Sequence, residues 1–172
     1  MARDFVVLDA CRRSLYGSGV RKLALAVATV GGVGYVPVAS GTFGSLAAVP
    51  LLPALAALRT RSPAGYAAAV AGLAAAAIWA AGRAETILGG HDHSNIVIDE
   101  VAGLVVAGAF LPGTWAATAV AFVLFRFFDV VKPFPANVID RRLAGGVSVV
   151  GDDLVAGAYA GIAARLLLRF LP

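Results

Sequence analysis

Residues 64–81 read AGYAAAVAGLAAAAIWAA, eighteen positions without a charge. Such a stretch is a candidate membrane helix, since roughly 20 apolar residues cross the hydrocarbon core of a bilayer. Its Ala and Gly content suits helices that pack closely in lipid, where small residues let backbones approach. The rest of the chain points the same way. The 172 residues are 60% hydrophobic and 14% charged, with mean hydropathy +0.86. An ordinary soluble domain is about 45–50% apolar and about 25% charged. A soluble protein of this composition lacks the charged groups to cover its surface, so lipid is the expected solvent. A compact soluble helical bundle is the alternative.

On either side of this span the chain divides into further helices. Residues 1–22 are mixed and polar, a mobile or interfacial cap. Residues 23–36 are apolar but carry Gly31, Gly32 and Gly34 and close at Pro37, which suggests an interfacial or re-entrant helix. A Gly-rich polar turn at 39–45 precedes a helix over 46–58, kinked at Pro50 and Pro53. After the span, a polar segment covers 83–100. A helix from Asp99 stops near Pro112-Gly113, and another runs from Thr114 to about Val131, ended by Lys132-Pro133. Residues 132–151 form a polar return, and a last helix starts at Asp152. The expected fold is all-α: a compact membrane bundle of about four to five helices plus the interfacial N-terminal one. The length fits one domain of about 100–200 residues, with 1–36 as an N-terminal cap and 37–172 as the helical domain. A helix of about 13 residues rises only about 20 Å, less than the roughly 30 Å hydrocarbon core, so the bundle is expected to thin the bilayer or sit partly among headgroups.

Charge placement narrows the function. Net charge is +4, and eight of the ten acids lie between Glu85 and Asp153. The early basic residues Arg12, Arg13, Arg21 and Lys22 suit an anionic leaflet, each contributing roughly 1 kcal/mol near the surface. No basic stripe with interleaved aromatics is present, which argues against nucleic acid as a partner. Cys11 is the only cysteine, so there is no intramolecular disulfide framework and no thiolate metal site. The Ser-Leu-Tyr-Gly that follows Arg13 does not build the phosphate loop that a cysteine nucleophile needs. No signal peptide is evident.

If the N-terminal segment does not cross and the next four turns do, residues 40–45, 83–100, 126–132 and 152–153 all arrive at one face. That face collects most Lys and Arg, so the positive-inside tendency makes it cytoplasmic. Arg59, Arg61, Arg165 and Arg169 dissent. Were residues 23–36 also to cross, the motifs would still gather, but the N-terminal basic cluster would fall opposite.

Asp99-Glu100, Asp129, Asp140 and Asp152-Asp153 are expected at helix ends. Carboxylates there are costly in a membrane unless paired or coordinating. Asp99-Glu100 and Asp152-Asp153 at helix starts also read as N-caps favoured by the helix dipole, although a cap needs only one acid. Pooled carboxylates hold Mg²⁺ through hard oxygen ligands, and the cation can activate water and neutralise phosphoryl charge. Phosphoryl transfer needs basic partners beside the acids. Arg126, Asp129 and Lys132 follow one another at spacings of three, on a common helical face. They could bind phosphate, or form a salt bridge that only steadies the helix end. His91-Asp92-His93 offers imidazoles for metal ligation or protonation of a leaving alkoxide. Thr42 and Ser45, in the turn before a helix, could bind a phosphate oxygen or simply cap it.

These segments together resemble the phosphatidylglycerophosphatase A family. The matching stretches are 40–51 (SGTFGSLAAVPL), 91–103 (HDHSNIVIDEVAG), 125–135 (FRFFDVVKPFP), 140–146 (DRRLAGG) and 151–157 (GDDLVAG), in the family's order over roughly 37–161. Ile98 stands where the family often has an aromatic residue. The resemblance implies Mg²⁺-dependent hydrolysis of phosphatidylglycerophosphate to phosphatidylglycerol and inorganic phosphate at the bacterial inner membrane. It implies an active site that includes Asp99, Glu100, Asp129, Asp152 and Asp153. On this basis Glu100, Asp129 and Asp153 are the expected metal ligands, His93 a further catalytic group, and Thr42, Ser45, Arg126, Lys132 and Arg141 the substrate-binding residues. A metal-activated water is favoured over an aspartyl nucleophile. An alcohol phosphotransferase is disfavoured because its Asp-Gly…Ala-Arg spacing is absent. A non-catalytic transporter or scaffold, or a phosphatase of another monoester on the same fold, are the competing readings.

Overall fold

The computed structural model describes residues 18–90 and 93–170. Most of the expected cap at 1–22, together with His91 and Asp92, lies outside the described residues. The described chain is helical: α1 Ser18–Ala28, α2 Ser40–Ala48, α3 Leu51–Arg61, α4 Pro63–Leu88, α5 Ile98–Ala107, α6 Trp115–Val131, α7 Ala136–Arg142 and α8 Gly146–Leu167, with a 3₁₀ turn at Val33–Tyr35.

Local chemistry sets these bounds. α4 starts where Ser62 Oγ accepts from Gly65 N at 3.1 Å, with Pro63 in the first turn, the position where its missing N–H costs nothing. It ends at Gly89, whose φ of 81° is a left-handed stop that glycine adopts without strain. Pro50 separates α2 from α3, which together run Ser40–Arg61 as 22 residues. Thr114 caps α6 by accepting from Ala117 N at 3.2 Å.

Three segments are long and apolar enough to cross a membrane: Ser40–Arg61, Pro63–Leu88 and Gly146–Leu167. In α4 only 17% of the most apolar window is buried, so most of its alanine surface faces outward. That is expected of a helix solvated by lipid. The ten residues of α5 rise only about 15 Å, too little to span. This helix forms the middle of the bundle, with Val101, Ala102, Leu104 and Val105 all buried. α8 packs directly on it. A Cβ on Gly157 would lie 2.2 Å from Gly103 O, so the two backbones touch as only small residues allow.

Several boundaries differ from those expected. Residues 40–45 are helical rather than a turn, because the apolar run after Leu46 continues back through Gly44 and Ser45, both buried. The N-terminal apolar segment stops at Ala28, ahead of Gly31 and Gly32 at positive φ. The helix from Asp99 ends at Ala107, short of Leu111. The polar return contains α7, and the last helix starts at Gly146, so Asp152 and Asp153 are its seventh and eighth residues rather than its start. An N-cap role is therefore excluded for that pair.

The arginines that opposed the charge asymmetry are partly accounted for at the far end of the bundle. Arg59 donates to Ala109 O, and to Leu111 O at 2.8 Å. Arg165 donates to Phe110 O at 2.6 Å, and the Tyr66 hydroxyl to Ala109 O at 3.1 Å. These groups satisfy carbonyls left over after α5, a local structural use of charge.

Candidate active site

The expected gathering of polar motifs occurs at the other end. A cavity of about 260 Å³ is walled by Asp99 and Glu100 from the first turn of α5, Asp129 near the end of α6, Asp152 and Asp153 inside α8, and Lys132 just after α6. Its apolar wall is Val130 and Val149. Asp152 and Asp153 are each only 4% exposed, so their carboxylates are spent inward.

Two cations organise the acids. Arg126, one turn before Asp129, pairs with Asp129 Oδ2 at 3.0 Å and directly with Glu100 Oε2. Ser45 joins this group. Its hydroxyl lies 3.0 Å from Glu100 Oε2 and accepts from Arg126 Nη1 at 3.4 Å. Lys132 departs from the expected face shared with Asp129. It ends α6 in a left-handed conformation, φ 43°, and reaches Asp152 Oδ2 at 2.6 Å and Asp140 Oδ1 at 3.3 Å. Burial alone would lower the Lys132 pKa, but the Asp152 and Asp140 carboxylates outweigh it and hold the ammonium above its ordinary value. It is a fixed positive charge at neutral pH.

Among the described residues, the five carboxylates lining the cavity outnumber these two cations. Asp153 shares the cavity wall with Asp129, Asp99 and Glu100. Acids packed this closely must share a proton or a cation. Among the described residues no three His, Cys, Asp or Glu side chains already form a metal site. The oxygen donor set and the space for water nevertheless fit Mg²⁺, which keeps several waters and takes few protein ligands. Asp99, Asp129 and Asp153 all line that space. Glu100 and Asp129, both expected among the ligands, each pair with Arg126, and Glu100 also accepts from Ser45.

Of the five expected residues outside the cavity wall, Ser45 and Arg126 join it through Glu100, and three others do not. Thr42 is half-buried on α2, and Arg141 is exposed on α7. His93 is half-buried, and its Nδ1 accepts from Asn95 N at 3.3 Å. Conversely, the sequence reading assigned no part to Gly41, Val130 or Val149. Gly41 contacts Glu100, and only the nearness of the two valines to acids, Val130 beside Asp129 and Val149 three residues before Asp152, hinted at them.

Comparison with known proteins places this geometry in context. The profile of the family described as PgpA: Phosphatidylglycerophosphatase A matches residues 26–168, wider at both ends than the 37–161 expected from motifs alone. A Haemophilus influenzae protein named phosphatidylglycerophosphatase A is 43% identical over 76 residues, 44% of this chain and 47% of that relative, so this match spans about half of it. An Escherichia coli K12 protein of the same name is 35% identical over 133 residues, 76% of each chain. A Bacteroides thetaiotaomicron protein, provisionally named phosphatidylinositol-3-phosphatase, is 37% identical over 151 residues, 81% of this chain and 90% of the relative. No solved structure matches.

Proposed function

The chain belongs to the phosphatidylglycerophosphatase A family, and we propose that it hydrolyses the terminal phosphomonoester of phosphatidylglycerophosphate, giving phosphatidylglycerol and inorganic phosphate in phospholipid biosynthesis. One observation carries this reading: five carboxylates and Lys132 line a single cavity, with Arg126 bound to two of those acids, at one end of a bundle that includes three membrane-length segments.

Each residue has a part. Arg126, fixed by Glu100 and Ser45, offers its remaining guanidinium donors to the non-bridging phosphate oxygens. Lys132, held by Asp152 and Asp140, contributes a point charge on the other side of the cavity. Asp99, Asp129 and Asp153 would hold Mg²⁺, which when bound supplies Lewis-acid stabilisation of the phosphoryl oxygens. A carboxylate of this group accepts the proton of the attacking water, and positioning with charge stabilisation supplies most of the rate. The proposed location is the bacterial inner membrane, multi-pass, with the cavity on the cytoplasmic side. In support, Arg126, Lys132, Arg141 and Arg142 lie at the cavity end, while Arg59 and Arg165 at the other end are committed to carbonyls. No nucleic-acid partner is proposed.

A second reading, a phosphatase of another lipid monoester, has the Bacteroides relative's name in its favour. The deciding experiment is phosphate release by the purified, detergent-solubilised protein from phosphatidylglycerophosphate, phosphatidylinositol 3-phosphate and phosphatidic acid, with Mg²⁺ or with EDTA. Selective, EDTA-sensitive release from phosphatidylglycerophosphate is expected. Preference for the inositol lipid would replace the substrate, and no release from any of the three by folded protein would leave the scaffold reading in its place.

A further inference from the structure

A lipid phosphomonoester brings two acyl chains with its phosphate, and the chains have to remain in hydrocarbon while the phosphate reaches the acids. The cavity therefore needs an apolar way out to the side. Its lining includes only two apolar residues, Val130 and Val149. Val149 is 5% exposed, whereas Val130 is 75% exposed. Val130 thus belongs both to the wall of the cavity and to the outer surface of α6.

The surface beside it is apolar and held in place. Phe127, three residues earlier on the same helical face, is 55% exposed, and Phe134, in the turn after Lys132, is 72% exposed. That turn is fastened to α8, since the Tyr159 hydroxyl donates to Phe134 O at 2.8 Å and the Tyr159 ring stacks on Phe128 at 5.7 Å. We propose that Phe127, Val130 and Phe134 form a ledge on which the diacylglycerol end of the substrate lies while its phosphate occupies the cavity, so that lipid enters sideways past α6. This rests on the lipid-phosphatase reading above and adds a specificity surface to it. Apolar residues exposed on a membrane helix ordinarily meet bulk lipid. This surface differs because it begins at the wall of the phosphate site.

The test compares two substrates with the same terminal phosphate, long-chain phosphatidylglycerophosphate in mixed micelles and its deacylated, water-soluble counterpart. The readout is the ratio of kcat/KM for the first to that for the second. Phe134→Ser should lower the ratio about tenfold, mostly through KM, as the loss of one large apolar contact implies. Phe134→Leu should restore it. Phe110→Ser, at the far end and 70% exposed, should leave the ratio unchanged. If Phe134→Ser does not yield folded protein, Phe127→Ala reads the same ratio. An unchanged ratio, an equal fall for both substrates, or an equal effect of Phe110→Ser would each overturn the ledge. Wild-type protein that hydrolyses neither substrate would overturn the phosphatase reading and the ledge with it, whereas a wild type active on both leaves the ledge to be judged by the variants alone.

Discussion

A Cβ on Gly41 would stand 1.8 Å from Oε1 of Glu100, a residue 59 positions further along the chain. The tip of a glutamate usually moves aside for such an intrusion. Here it is pinned, because Arg126 and Ser45 both hold its other oxygen. Gly41→Ala should therefore shift Glu100 and Arg126 together and lower phosphate release at least about tenfold, the scale of a small misplacement of catalytic groups. Thermal unfolding in detergent should change little. Normal turnover in this variant would show that the position of Glu100 does not matter.

Asp129 pairs with Arg126 and lines the same cavity as Asp153. Asp129→Asn keeps the shape and removes the charge, so it should lose activity by about 100-fold or more while the protein still inserts and folds. Near-normal turnover would remove Asp129 from the site.

Asp153 is buried inside α8 and shares the cavity wall with Asp99, Glu100 and Asp129, the acids among which the proposed Mg²⁺ would sit. In Asp153→Asn the Mg²⁺ concentration for half-maximal activity should rise at least about tenfold, a loss already typical when outer-shell partners of a metal are altered. A Mg²⁺ titration of phosphate release checks this. An unaltered midpoint with lower kcat would instead make Asp153 a proton acceptor.

Arg126 bridges α2, α5 and α6 through three partners. Lysine has the charge but not the planar fork, so Arg126→Lys should fold yet lose roughly 100-fold in kcat, comparable to losing one preorganised donor to a developing charge. Full activity in Arg126→Lys would reduce Arg126 to a point charge.

Gly157 packs on the backbone of Gly103, which itself lies against the buried ring of Phe125. Gly157→Ala should cost about 1–3 kcal/mol through overpacking, seen as a lower unfolding midpoint and poorer yield. Any residual folded protein should retain its Mg²⁺ requirement, which separates this packing role from the chemistry of the acids four and five residues earlier.

The helical class was legible because it depends on local properties: composition, uninterrupted apolar length, and the stops at Pro and Gly, whereas the length of Ser40–Arg61 was missed because its Gly-rich start read as a turn. The same holds for the α4 span, capped by Ser62 and ended at Gly89. The gathering of Asp99, Glu100, Asp129 and Lys132 at one end was also accessible, since it follows from counting reversals of direction.

What the sequence by itself determined, then, was the solvent, the helices and which polar segments share an end. Tertiary structure decided the partners. Asp152 and Asp153 are interior to α8 because that helix continues back to Gly146, a start set by packing rather than by the acids. Lys132 turns to Asp152 and Asp140 instead of Asp129 because its backbone leaves the helix at that residue. Ser45 meets Glu100 across 55 residues, and no local pattern encodes such a contact. Backbone preference acts over a few residues, whereas a site built from four helices depends on how their surfaces fit, and that fit exists only in the folded bundle.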